Sequence, residues 1–293
     1  MSQTFIENAP AKINLYLHVT NKREDGYHNL DSLITFADFG DQITLNTSKT
    51  LSLSIDGLFA KDLSINEQSL EYSSDNILVK TLWKIADYAH QTPSFNITLT
   101  KNIPIGAGLG GGSADAAALA RILCQLWDID PSDKDFQEIL FSIGADVPMC
   151  FASETCQIKN AGELIKKAPK LPSMNTVLVH PNSHCSTVKI FKINKSYSPN
   201  TVSIPDVISN QEELLSFLKT TRNDLTNAAL KNTPAIKEIL NALNKQDGIA
   251  LSRMSGSGSA CFGIFKTQNN ATNAAEIIKN LHPEWWVQAV TIS

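Results

Sequence analysis

Apolar and polar residues alternate near the start of the chain. Ile13, Leu15, Leu17 and Val19 interleave with Asn14, Tyr16, His18 and Thr20, a period of two that predicts a strand with one buried face. Ile43–Leu45 and Leu51–Ile55 continue this β-rich opening, with Asp56-Gly57 as a turn. The period then changes: between Asp75 and Ala89, residues Ile77, Leu78, Leu82, Ile85 and Ala86 share one helical face, and Asp75 is placed to cap it. A strand over Phe95–Leu99 runs to Pro104 and a glycine-rich segment. Ala114–Trp127 follows as the plainest helix in the chain, rich in Ala and free of Gly and Pro, and Phe136–Ile143 is another helix, ended by Gly144. Beyond Phe151 the pattern predicts a strand at Val177–Val179, a polar, proline-containing connector over Tyr197–Asn210, and helices at Glu212–Lys219 and Ala235–Leu243. Strands at Ala260–Phe265 and Val287–Ile292 enclose a helix over Asn273–Leu281. Strands mixed with helices in both halves give an α+β class and two domains, residues 1–152 and 153–293.

Composition narrows the partners. With 42% hydrophobic and 18% charged residues, the 293-residue chain is globular and long enough to bury a core without disulfide or metal staples. Lys plus Arg is 25 against 29 Asp plus Glu, a net charge of −4, so the basic surface that grips a nucleic-acid backbone is not expected. Nor is there a polybasic cluster for a membrane surface or an apolar run of about 18 residues to span one. The first ten residues contain Glu7 and no apolar stretch, unlike a signal peptide. Cys124, Cys150, Cys156, Cys185 and Cys261 are scattered, with no C-x-x-C spacing, and read as reduced thiols serving as small apolar side chains. A cytoplasmic protein is expected.

The most informative segment is Gly106-Ala107-Gly108-Leu109-Gly110-Gly111-Gly112-Ser113. Five glycines in eight positions leave backbone amides free to close on an anion, and the unpaired N–H groups of the following helix point the same way. A phosphate seat is therefore expected, with a plain tight turn as the other reading. Gly106-x-Gly108-x-x-Gly111 fits the dinucleotide fingerprint, but Pro104 interrupts the strand that motif needs, and Asp128–Ile143 reads as loop and helix where a second strand belongs. The segment lacks the Gly-Lys-Ser/Thr ending of a Walker loop. Asp38-Phe39-Gly40 spells the protein-kinase metal triplet but precedes the glycine loop, and no His-Arg-Asp motif exists.

Several segments together resemble one family. These are Pro10-Ala11-Lys12-Ile13-Asn14-Leu15, Gly26-Tyr27-His28, the loop Pro104–Ala117, Gly144-Ala145-Asp146-Val147-Pro148 and Met254-Ser255-Gly256-Ser257-Gly258-Ser259. Their order and spacing are similar to those of the GHMP small-molecule kinases, specifically the branch that acts on cytidine diphosphate methylerythritol in non-mevalonate isoprenoid synthesis. The resemblance implies a two-domain α+β fold: an N-terminal nucleotide-binding domain with a left-handed β-α-β crossover and a ferredoxin-like C-terminal domain. It implies ATP with Mg²⁺, and phosphoryl transfer to the 2-hydroxyl of the substrate. Asp146 is implied as the base and Lys12 as its partner. Pro104, Gly106, Gly108, Leu109, Gly110, Gly111, Gly112 and Ser113 are implied at the nucleotide, with Lys101 nearby and Ser113 a candidate metal ligand. Tyr27 and Phe191 would sandwich the cytosine while His28 bonds its edge, and Asn14, Thr187 and Gly256 would add contacts to the substrate. Asn223-Asp224-Leu225 also resembles a family segment, but Thr226-Asn227 stand where an acidic residue is expected, and no role follows. Two alternatives remain. A kinase for mevalonate, homoserine or another small alcohol is disfavoured by Tyr27, His28 and Phe191, and a non-catalytic nucleotide-binding relative by the presence of both Lys12 and Asp146.

Overall fold

The computed structural model describes residues 3–63, 70–160, 162, 164–183 and 185–293. The chain divides into two compact units, each assembled from separate segments. The first comprises Met1–Ala11, Gly40–Ile105 and Gly110–Ser153; the second comprises Lys12–Phe39, Gly106–Leu109 and Glu154–Ser293. Lys12–Phe39 and Gly106–Leu109 thus group with Glu154–Ser293.

Two long strands, β1 (Thr4–Lys22) and β2 (His28–Thr47), pair with each other and pass through both units. In the first unit, β3 (Ser52–Asp56) lies parallel to β4 (Phe95–Thr100), joined through helix α1 (Ile77–Ala89) as a β-α-β unit. Strand β4 in turn pairs antiparallel with β2, from Gln42↔Thr100 to Thr47↔Phe95. The helix start corrects one expectation: the cap of α1 is Asn76, whose side chain accepts from Leu78 N, while Asp75 pairs with Lys80 on the surface. Helix α2 (Gly111–Trp127) begins three residues earlier than its alanine run. Its small residues are buried on nearly every face from Ala114 to Cys124, which lets α1 and the short α4 pack closely against it. Helix α3 (Lys134–Ile143) is capped by Asp133, and α4 spans Val147–Ala152.

In the second unit, β5 (Cys156–Asn160) pairs with β2 over residues 30–34 and with β6 (Leu164–Lys167). Strand β7 (Met174–His180) leads through helices α5 (Thr187–Ile193), α6 (Gln211–Lys219), α7 (Thr226–Asn232) and α8 (Ala235–Asn244) to β8 (Ile249–Met254). Strand β9 (Cys261–Phe265), helix α9 (Gln268–Leu281) and β10 (Trp286–Ile292) complete it. The order β10-β7-β9-β8, antiparallel throughout, is the fourth-first-third-second order of a ferredoxin-like sheet. Val177 and Val179 of β7, Cys261 and Phe265 of β9, and Ile236, Ile239 and Leu243 of α8 share one core with Ile278 of α9.

Strand β1 differs from the expected half-buried pattern. Ala11–Val19 are buried on both faces, polar residues included. Tyr16 is fully buried and its hydroxyl donates to Asp31 Oδ1 at 2.8 Å, so the burial is compensated by a hydrogen bond. Asp31, itself fully buried, also accepts from Gln157 Nε2 (2.8 Å) and Val202 N (2.7 Å), tying the 197–210 connector to β2. The Asp38-Phe39-Gly40 triplet lies within β2 and is structural. Asp38 accepts from Thr291 N, and a Cβ at Gly40 would lie 2.1 Å from the Ala9 carbonyl oxygen.

Candidate active site

The glycine loop takes the backbone form its composition allows. Gly106, Gly108 and Gly110 have φ of 67°, 79° and 67°, in the left-handed region that L side chains disfavour. Gly110 is the N-cap of α2 and contributes no side-chain cap; its carbonyl accepts the first helical bond, from Ala114 N at 2.9 Å. The amides of Gly111, Gly112 and Ser113 therefore have no intrahelical partner, and they stand at the positive end of a 17-residue helix, a ready seat for an anion. Pro104, buried, precedes the loop.

Also in the first unit, Asp146 is the N-cap residue of α4, and its side chain does not cap that helix. A Cβ at Gly144 would lie 4.0 Å from Ser113 Oγ, which places the Gly144–Asp146 turn against the first turn of α2. Lys101 is only 4% exposed. Its ammonium bonds Asp41 Oδ2 at 2.5 Å and Asp115 Oδ2 at 2.6 Å, joining β2, the end of β4 and the start of α2. Burial lowers the Lys101 pKa, but the two carboxylates outweigh that effect and lift it above the ordinary lysine value. Burial pushes the Asp115 carboxyl up, against the pull of Lys101 and with a further push from Asp41. A Cβ at Gly111 would lie 3.0 Å from Lys101 Nζ, so the lysine runs beneath the helix start.

The second unit gathers a different set. Lys12, in β1, is 7% exposed, and its amide donates to Leu109 O at 2.8 Å. Asn14 is 2% exposed; its Nδ2 donates to Ser32 Oγ at 2.8 Å, while its Oδ1 has no hydrogen-bond partner among the described residues. Ser255 Oγ accepts from Asn14 N (3.1 Å) and donates to Gly108 O (3.2 Å), so one hydroxyl links β1 to the glycine loop. Gly256, at φ +56°, packs on the same loop: a Cβ there would lie 2.9 Å from Gly108 O and 3.4 Å from Asn14 Oδ1. Thr187 Oγ1 and Ser257 Oγ share a hydrogen bond of 2.8 Å.

His28 and Phe191 are brought together with ring centroids 5.2 Å apart and planes tilted 34°, and Tyr27, the residue before His28, is 68% exposed. Burial first, and then the charge of Lys22, lowers the His28 pKa below its ordinary value. The shift favours the neutral imidazole at neutral pH, which offers one donor and one acceptor.

Four residues outside the expected set serve these clusters: Asp41, Asp115, Ser255 and Asn223. Asp115 carried a signal, an acid inside an otherwise apolar stretch of helix. Asp41 carried none, because its partner Lys101 is distant in sequence, whereas Asn223 lay in a segment noted for its resemblance but given no role. Among the described residues no group of three or more His, Cys, Asp or Glu is placed to hold a metal, and no helix is long and apolar enough to cross a membrane.

Comparison with known proteins bears on the family and the fold. Residues 76–154 match the family model described as GHMP kinases N terminal domain, and residues 207–284 match GHMP kinases C terminal. The 4-diphosphocytidyl-2-C-methyl-D-erythritol kinase of Rhizobium meliloti is 40% identical over 285 residues, covering 96% of this chain and 93% of its own. That of Paramagnetospirillum magneticum is 38% identical over 284 residues, with 97% of each chain covered. A crystal structure of 4-(cytidine 5'-diphospho)-2C-methyl-D-erythritol kinase superposes with a TM-score of 0.77 at 28% identity, over 100% of this chain and 99% of that one. The homoserine kinase of Cytophaga hutchinsonii, at 17% identity and a TM-score of 0.70 over 100% of this chain and 94% of its own, shares the fold. With motifs, fold and near full-length similarity in agreement, the chain belongs to the GHMP kinases, in the 4-diphosphocytidyl-2-C-methyl-D-erythritol kinase family.

Proposed function

We propose that this chain is an ATP-dependent kinase that transfers the terminal phosphoryl group of ATP to the 2-hydroxyl of 4-diphosphocytidyl-2-C-methyl-D-erythritol. The products are the 2-phosphate and ADP, a step of the non-mevalonate route to isoprenoid precursors. The observation that carries the proposal is the glycine loop, which opens α2 with left-handed backbone at Gly106, Gly108 and Gly110 and no side-chain cap on the helix. That arrangement suits a nucleotide phosphate chain, and phosphoryl transfer depends on placement and charge neutralisation more than on covalent help from the protein.

Family resemblance assigns Asp146 as the base. An alcohol hydroxyl is a far weaker acid than a carboxyl group, so Asp146 accepts the proton only as the new oxygen–phosphorus bond forms. By the same resemblance Lys12 polarises the hydroxyl and steadies the charged Asp146. His28, Phe191 and Tyr27 bind the cytosine by stacking and edge hydrogen bonds, and Asn14, Thr187 and Gly256 line the rest of the substrate. Lys101, already committed to Asp41 and Asp115, supports the loop from behind. Ser113, in the first turn of α2, would offer its hydroxyl oxygen to a Mg²⁺ bound with the nucleotide phosphates. When bound, it would neutralise phosphate charge. The five cysteines, all buried as small apolar side chains, fit a cytoplasmic location.

The test is ADP release measured with the cytidylyl alcohol, mevalonate and homoserine in parallel. Turnover with the first alone is expected. Turnover with either of the others would move the chain to another GHMP activity, and turnover with none would make it a nucleotide-binding relative.

A further inference from the structure

Asn223-Asp224 has no assigned role, yet it is fully engaged in the second unit. Asn223 is 5% exposed, and its Nδ2 donates both hydrogens, to Met254 O and to Gly256 O, each at 2.8 Å. Its Oδ1 accepts from Leu225 N at 2.9 Å, so the orientation of the amide follows from its surroundings. The same segment is bonded to β1: Leu17 N donates to Arg222 O (3.0 Å), Asp224 N to Leu17 O (2.8 Å) and Val19 N to Asp224 Oδ2 (2.9 Å).

We propose that Asn223 is a positioning residue for phosphoryl transfer, holding the Met254–Gly258 turn and, through it, the glycine loop at Gly108. This rests on the kinase assignment above. The two turns meet backbone to backbone, with no room for adjustment. A Cβ at Gly108 would lie 2.7 Å from Ser255 O, one at Gly256 would lie 2.9 Å from Gly108 O, and the fully buried Ser255 hydroxyl ties Gly108 O to Asn14 N. Ala260 N further donates to Ala107 O at 2.9 Å. Any shift of Met254–Gly256 therefore passes directly to residues 107–108.

Only a primary amide satisfies the position. Aspartate would set carboxylate oxygens against two carbonyls, and alanine would leave both carbonyls buried without this donor. In either variant the turn must move to find new partners, and Gly256 and the Thr187–Ser257 contact move with it.

Asn223→Ala and Asn223→Asp would be assayed with ATP and the cytidylyl alcohol, rates normalised to the natively folded fraction. Amide hydrogen exchange would be followed in peptides covering 254–260 and 106–109. The expected result is a kcat lower by about 10–100-fold, the scale of small misplacements of reacting groups. KM for the alcohol should rise by a smaller factor than kcat falls, since Gly256 and Thr187 shift with the turn, and exchange should be faster in both peptides. Unchanged kcat per folded molecule, or faster exchange at 254–260 with none at 106–109, would overturn the proposal. So would a loss of kcat accompanied by an equally large rise in KM. Should the unmodified protein fail to turn over the cytidylyl alcohol, the kinase assignment falls on its own, and the exchange at 106–109 still decides whether Asn223 positions the loop.

Discussion

At the residue scale, Asp146 heads α4 without capping it, so its carboxylate is not taken up by that helix's amides. Asp146→Asn keeps the shape and removes the proton acceptor. Turnover should fall by about 10²–10⁴-fold, the usual share of a general base. ATP affinity by calorimetry should stay near that of the unaltered protein, and normal turnover would remove Asp146 from the base role. Tyr27, which precedes His28 and is exposed, makes the complementary case. A large aromatic ring left in solvent gains from stacking on a base, worth about 1–3 kcal/mol. Tyr27→Ala should therefore raise KM for the cytidylyl substrate by roughly 5–150-fold, with little change in KM for ATP. Equal effects on both substrates would assign Tyr27 to structure.

At the element scale, the glycine loop and the Met254–Gly258 turn act as one piece of backbone. Gly108 is left-handed at φ +79°, and the Cβ of any other residue would meet the backbone of Ser255. Gly108→Ala combines φ strain with a backbone clash, so it should reduce kcat/KM by at least about 10-fold and lower the melting temperature together. Steady-state kinetics with calorimetric melting checks this; an alanine variant with full activity would mean that the two turns are not locked. The elements differ in how legible they were. The alanine-rich helix was plain because no residue in it opposes helix formation. Helices α5 and α7, seven residues each, were not read as helices. They are too short to build a periodic apolar face and depend on the packing around them. Strand β2 was seen only at Ile43–Leu45, because Asp31 and Asp41 interrupt its apolar pattern. Both aspartates are buried with donors supplied from elsewhere.

At the scale of the whole molecule, a buried histidine links stability to pH. His18 is 6% exposed in β1, and its Nε2 accepts from Arg222 N at 3.3 Å. Burial lowers its pKa below the ordinary 6.5 despite the opposing pull of Asp224 and Asp31, with Arg222 and Arg253 adding to the lowering. The unfolded chain therefore binds this proton more readily than the folded one. Its contribution to stability is full above about pH 6.5 and is lost as pH falls through the depressed folded value. Denaturant unfolding across that range should show the decline, and His18→Gln should flatten it. An unchanged slope in the variant would assign the decline to other groups.

The amino-acid order alone was enough to determine the loop, the helix that follows it and the family motifs, because each is a local matter. Glycines permit left-handed backbone, alanines favour helix, and the motif residues lie close together within each segment. Which polar groups could be buried was decided only in three dimensions. Lys101 meets Asp41 across 60 residues, and Asp31 receives Gln157 and Val202 from 126 and 171 residues away. A carboxylate or amide can leave water only where folding supplies its partners, and no local pattern records residues so distant.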